Sequence, residues 1–471
     1  MSSPFFDNTP FSDLVSWVLR KDGPPANATP SSASEECEGK ALVDWNGADD
    51  PENPQNWSTP RKTFVQFQIC LLTVAIYTGS AIITPAEPVF GVGPLFFSPL
   101  SEVPRLGRNI PYMTSLLLFL VVTAIASRVS NYPGLVVLRF LQGFLGSPAL
   151  ATGGASISDV LPFHKVPYGS TCWMCASFAA PALGPLLAGF SLLILNGVTF
   201  LLLFFCLPET NGETILLRRA QRLRRETGNP HLRSKSEALE HSVPLLRLMA
   251  QYLTTPLRVS LHDPSVAFMN LYTAFAYAVY YSYFESFPRL YTGIYGFSTG
   301  LTGVVFLSIT VASALGAAIY ILLVWRVYEP YTLQHGVGAP EHRLVPGLVA
   351  AAIGPAGLFL FGWTAREAVP WVVPTLGILV FSTSLFIIFN VIIIYLPTSY
   401  PRHAASLFAA NSFSRSALAS GTIHFSQPLF ANLGLGRGCS VLGNVAVACC
   451  VGLVALWHFG DRLRARSRFA S

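Results

Sequence analysis

A chain of 471 residues with 52% apolar and only 11% charged side chains cannot cover itself with solvated surface, because soluble domains carry about a quarter charged residues. Its charges lie between long apolar runs, and runs of roughly 20 apolar residues match a hydrocarbon core of about 30 Å, which excludes a soluble globular protein and points to an all-α polytopic membrane bundle. The net charge of +6 does not indicate a nucleic-acid partner, since the basic residues sit at the ends of the apolar runs.

In chain order, residues 1–62 are polar, rich in Pro, Ser, Asp and Asn, and lack the apolar core of a signal peptide. They read as a disordered cytosolic tail. An N-terminal transmembrane half follows over 63–207, with spans expected at 64–84, 110–127, 132–152, 167–190 and 191–207 and a stub at 89–100. Residues 208–264 form a basic linker whose Leu216–Glu226 stretch (LLRRAQRLRRE) suggests an amphipathic cytosolic helix. A C-terminal half over 265–459 has spans expected at 265–287, 300–325, 345–364, 369–396, 404–430 and 436–459, and residues 460–471 form a short cytosolic tail. With the stub counted as spanning, most Lys and Arg fall on the linker side, which places both termini and the linker in the cytosol. The opposite loops carry only Arg128, Arg289, Arg366 and Arg437. The Cys172-x-x-Cys175 pair lies in an apolar run without nearby ligands and reads as two small hydrophobes.

Several polar residues stand out within the spans. Arg139 is costly in a membrane unless it faces the bundle interior and is paired, and Gln142 and Gly143 share its helix face. Tyr277, Tyr281 and Glu285 recur at four-residue steps and can present rings and a carboxylate to a cation or a proton, although Glu285 lies near a boundary where water can solvate it. Asn390 is a further cavity candidate, with a helix–helix hydrogen bond as the plainer reading. Ala176, Ala180, Gly184 and Ala188 form a smooth ridge, with a complementary one at Ala312 and Gly316.

Local motifs then carry a resemblance. SPLSEVPRLGRN at 98–109 resembles the inner-loop signature of the major facilitator superfamily, with Glu102 in the acidic place and Gly107-Arg108 as its Gly-Arg pair. RFLQGFLG at 139–146 is similar to the family's Arg-x-x-Gln-Gly pattern, and ALGPLLAG at 182–189 resembles its antiporter Gly-Pro motif at Gly184, Pro185 and Gly189. VDWNGADDPENPQNWS before the first span, LPET after the sixth and FESFP closing the seventh resemble fungal twelve-span drug:proton antiporters.

The resemblance implies a major facilitator fold of two six-helix halves rocking about a central cavity. It also implies proton-coupled efflux of a small amphipathic organic compound, with a proton gradient and no cofactor as the energy source. Arg139 would shape coupling beside the cavity. Glu102 and Arg108 would form a latch at the inner ends of spans 2 and 3 or with a neighbouring helix. The Gly184–Gly189 motif would serve inter-half packing. A monomer in the plasma membrane is the expected form, with the bilayer and a small-molecule substrate as partners. No phosphate-binding loop, metal cluster or nucleophile–base pair is recognisable, so an enzyme is not expected.

The chain departs from the family pattern twice: the second span is a stub on a path from Pro85 to Glu102 that also holds Pro88, Pro94 and Pro99, and spans 5 and 6 adjoin without an outer turn. Uptake or exchange of a metabolite or polyamine is one alternative. A non-transporting degenerate carrier, suggested by the short span 2, is the other.

Overall fold

Each expected span is a helix in the structure, a computed structural model, which describes residues 9–13, 33–37, 40–80, 87–184, 190–240, 258, 262–336, 338, 340–399 and 404–466. Span 1 is Thr59–Ser80, span 2 Glu87–Glu102, span 3 Asn109–Ala126, span 5 Val166–Leu183 and span 6 Phe190–Cys206. Span 4 begins as Tyr132–Gly146 and continues through Pro148–Ala151 and Gly153–Val160, so it runs past the expected end at 152 and carries Asp159 on its last turn. Pro148 has no amide hydrogen to donate, which accounts for the break at Ser147. Span 7 is Pro264–Phe287, span 8 Thr299–Leu323, span 9 Val345–Thr364 and span 10 Val372–Ser399. The run Ala404–Arg466 is divided at Gly434 (φ 73°, ψ 170°), a conformation glycine adopts without penalty, and this turn separates spans 11 and 12.

Local chemistry sets the boundaries. Asp263 accepts from the amides of Ser265 (2.9 Å) and Val266 (3.3 Å) to start span 7, and Ser298 accepts from Leu301 (3.3 Å) to start span 8. Within the spans, Thr73, Thr78 and Thr171 return their hydroxyl hydrogens to carbonyls one turn back, which satisfies polar groups in apolar surroundings. Outward-facing Leu117, Val121, Ile194, Val311, Leu322 and Val451 are exposed, as side chains in contact with acyl chains should be.

The two halves share one core. A buried cluster runs continuously from Ile69 and Leu72 of span 1 through Phe178 of span 5 and Tyr280 of span 7 to Leu442 of span 12. Span 5 packs on spans 8 and 10, and span 2 lies along the run of spans 11 and 12. The described part of span 2 has 16 residues and rises about 24 Å, more than the stub read from the sequence, and residues 81–86 before it lie outside the described residues. Gly93 brings it against span 4, since a Cβ there would collide with the Ser147 side chain. The tight join of spans 5 and 6 falls at 185–189, outside the described residues.

Part of the tail expected to be disordered is structured. Strand β1 (Ala33–Cys37) pairs antiparallel with β2 (Lys40–Val43), and β2 pairs parallel with β3 (Arg233–Ser234) of the linker. The expected linker helix is Gly212–Thr227, capped by Asn211 and ended at Gly228 in the left-handed region (φ 66°). Asp50 fastens the tail to it. The carboxylate accepts from the amides of Asn46 (2.7 Å) and Glu52 (2.9 Å) and from Nη1 of Arg219 (2.6 Å). Burial works to raise the Asp50 pKa, but the Arg219 hydrogen bond, the two amides and the Arg219 charge outweigh it and hold the carboxyl below its ordinary value.

Candidate functional site

Spans 5, 7, 10 and 11 bring aromatic rings together where the halves meet. Tyr277, Tyr280 and Tyr281 share a face of span 7 because residues three and four apart are neighbours on a helix. The Tyr277 and Tyr280 rings stack 6.1 Å apart, and the hydroxyls of Tyr277 and Tyr281 lie 3.2 Å apart. Phe178 of span 5 meets Tyr280 edge-on at 5.6 Å, and Phe386 and Phe389 of span 10 at 5.8 and 5.1 Å. Tyr280 donates its hydroxyl hydrogen to the Phe178 carbonyl at 3.1 Å, a direct bond between the halves. One cation joins this seam. The Arg415 guanidinium of span 11 lies 5.4 Å from the ring centres of both Tyr277 and Phe389 and donates to Ser412 Oγ at 3.2 Å.

The structure divides the residues read from the sequence. Tyr277 and Tyr281 belong to the seam. Glu285 does not: it is half-buried at the far end of span 7 and accepts from Gln427 Nε2 at 2.9 Å. Asn390 is fully buried, but its amide returns to its own helix at the Phe386 carbonyl (3.0 Å) instead of crossing to another, and its Oδ1 has no partner. Arg139 is half-buried and donates to Gln142 Oε1 at 2.9 Å, while buried Gln142 donates to Thr123 Oγ1 of span 3 at 2.8 Å. The arginine motif therefore ties span 4 to span 3, and Gly143 is buried beside it. Gly184 is buried and closes span 5, whereas Pro185 and Gly189 lie outside the described residues. The ridge at Ala312 and Gly316 serves span 10: the Ala312 carbonyl accepts from Thr383, and a Cβ at Gly316 would meet the Phe386 ring at 2.7 Å.

A second cluster sits on the linker face, where Arg108 finds its partner on a neighbouring helix and not in Glu102. Arg108 Nε pairs with Asp159 Oδ2 of span 4 at 3.1 Å, and Nη1 donates to Ser101 Oγ at 3.1 Å. Among the described residues Glu102 forms no ion pair with Arg108, although their charges act on each other at longer range. Burial works to lower the Arg108 pKa, but Asp159, Tyr112 and Glu102 more than offset it and keep the guanidinium charged. Glu209, the acid of LPET, is fully buried. It accepts from the amides of Arg108 (3.0 Å), Asn109 (3.3 Å), Thr210 (3.0 Å) and Asn211 (3.0 Å). An anion at the amino end of span 3 is stabilised by exposed amides and the helix dipole. Gly107, at φ 68°, is required here both by its backbone and because a Cβ would collide with the Glu209 carboxylate. On the same face the halves also touch: Tyr168 Oη donates to Glu329 Oε2 at 2.5 Å, and Arg343 lies 5.7 Å from the Phe163 ring.

Two helical halves, a shared aromatic seam and a charged cluster below it define a polytopic membrane carrier. The chain belongs to the Major Facilitator Superfamily, whose family model matches residues 53–422. It is therefore a transporter and not an enzyme, embedded in a bilayer and acting on a small molecule. It is 39% identical to the MFS-type transporter pyvG of Aspergillus violaceofuscus, over 92% of this chain and 86% of that one. It is 34% identical to fluconazole resistance protein 1 of Saccharomyces cerevisiae, over 95% and 89% of the two chains. The cycloheximide resistance protein of Candida maltosa is also 34% identical, over 91% and 86%. Among solved structures, the human organic anion transporter MFSD10 superposes with a TM-score of 0.57 at 14% identity over 86% of this chain and 99% of that one, which bears on the fold alone. The alignment with pyvG runs over 477 residues yet covers 92% of a 471-residue chain, so the relative contains segments without a counterpart here.

Proposed function

We propose that this protein exports a small amphipathic organic compound in exchange for protons, by alternating access, from the plasma membrane of a cell whose cytosol holds both termini and the linker. The observation that carries the reading is the seam. Ring faces from both halves, with one arginine over them, can hold an apolar or aromatic compound, and relative motion of the halves would release it. Relatives named for fluconazole and cycloheximide resistance support a drug-like cargo.

Carboxylates in the described spans occur only near their ends, at Glu87, Glu102, Asp159, Glu285 and Asp461. The Asp159–Arg108 pair, a half-buried carboxylate on a buried guanidinium, is the group we assign to proton coupling, with Arg139 holding spans 3 and 4 in register. The test is uptake of radiolabelled fluconazole, an uncharged aromatic compound, into proteoliposomes with an imposed pH gradient. Accumulation should collapse on adding a protonophore. Accumulation that persists without the gradient would refute coupling, and none with a gradient of either sign would favour the non-transporting reading.

A further inference from the structure

On the face opposite the linker, a cavity of about 480 Å³ opens between the π-helical end of span 7 (Pro288–Ile294), the end of span 9 and the Gly434 turn. Arg289, Arg366 and Arg437 line it together with Trp363 and Phe430. The loops of that face carry no lysine, and of their arginines only Arg128 lies elsewhere. Scarce positive charge is thus gathered at one place.

The three arginines stand on separately anchored backbone. Tyr295 Oη donates to the carbonyls of Arg366 (3.2 Å) and Val369 (2.9 Å), which ties the loop after span 9 to the end of span 7. Gly434 turns the chain so that Arg437 stands at the start of span 12, and Gly362 and Gly436 let spans 9 and 12 approach, with a Cβ at Gly436 meeting the Gly362 carbonyl at 3.4 Å. Arg289 donates to the Gln427 carbonyl at 3.4 Å, and Arg366 lies 5.9 Å from the Trp363 ring. Among the described residues none of the three forms an ion pair. Glu285, one turn before Arg289, is occupied by Gln427.

Like charges converging without a counter-ion repel one another, and an anion between them removes that cost. The planar donor fork of arginine suits two-oxygen groups, and aromatic walls suit an apolar body. The volume falls within the range of small-molecule sites. We propose that this pocket binds a carboxylate, sulfonate or phosphate carried on an apolar body, as a site separate from the aromatic seam. It takes the anion whichever way the carrier moves its cargo.

The probe is naphthalene-2-sulfonate, measured by equilibrium dialysis against the full-length protein in a neutral detergent and in phosphatidylcholine nanodiscs. Binding should be saturable, weaken with salt, and fall about tenfold or more in Arg366→Gln/Arg437→Gln. Both side chains are exposed, so the variant should keep the wild-type elution volume. Adding phosphatidylglycerol to the nanodiscs distinguishes two sources of the same chemistry: displacement of the probe assigns the site to a lipid headgroup, and unchanged binding assigns it to a free organic anion. No saturable binding to folded wild-type protein, or equal affinity in the double variant, would overturn the proposal. Either result leaves the transport reading untouched, because no transport is measured.

Discussion

Arg415 occupies the ring faces that a cationic cargo would need. Its guanidinium, half-buried, lies over buried Tyr277 and Phe389, so a positively charged aromatic compound must both displace it and overcome its repulsion. Arg415→Leu should therefore lower the KM for a cationic aromatic compound about three- to thirtyfold, the range that a cation–π contact supplies, while the KM for a neutral compound of similar size changes little. A raised KM for the cation would show that the arginine supports binding. Arg139 makes a different case. It holds Gln142, which holds Thr123, and lysine keeps the charge but not the fork of donors. Arg139→Lys should reduce export about tenfold, with membrane expression near wild type, as judged by tracer flux against a surface-labelled band. Equal flux would show that this register has no bearing on transport, and loss of expression would make it a requirement of folding.

At the scale of elements, the helices were legible in the sequence because an apolar run long enough for a membrane has few other uses. What periodicity cannot show is which helix a polar residue faces. Glu102 looked like the partner of Arg108, yet Asp159 takes that place because span 4 continues past Pro148 and delivers a carboxylate to the same face. Glu209 was visible only as part of a motif, and its work at the start of span 3 depends on a turn that folds LPET back by about a hundred residues. Phe178, Phe386 and Phe389 were indistinguishable from ordinary lipid-facing phenylalanines. The tail was read as disordered from composition, although Asp50 and Arg219, 169 residues apart, clasp it to the linker helix. That clasp has a defined pH dependence. The folded pKa of Asp50 lies below its ordinary value, so its contribution is complete above about pH 4 and is lost as pH falls through the lower, folded value. Hydrogen exchange at 44–56 should thus be slow and constant from pH 7 to about pH 4, after correction for intrinsic rates, and accelerate only below it. Arg219→Leu should release the segment at every pH, since breaking a buried ion pair costs about 3–5 kcal/mol. Unchanged protection in the variant would assign the docking to the strands alone.

For the whole molecule, the short second span sets the sharpest test. Span 2 is helical over 16 residues and lies along the run of spans 11 and 12, so the contact between halves that it supplies is present. The described helix rises about 24 Å, and the remaining roughly 6 Å of a hydrocarbon core, if left unmatched, would cost a fraction of a kcal/mol per ångström, on the order of 2 kcal/mol. In a carrier that works by alternating access, such a deficit would slow the transport cycle as well as weaken the fold. Lengthening the span at its start corrects the deficit without disturbing its packing, because residues added before Glu87 leave the register of Gly93 against Ser147 unchanged. Inserting about five leucines and alanines after Ala86 should raise stability on the order of 2 kcal/mol and increase export severalfold. Thermal unfolding in nanodiscs and tracer flux measure the two effects separately. Equal flux and equal stability in both proteins would show that the bundle accommodates the short span at no cost. A gain in stability alone would place span 2 in the scaffold and leave the speed of the cycle to the seam between the halves.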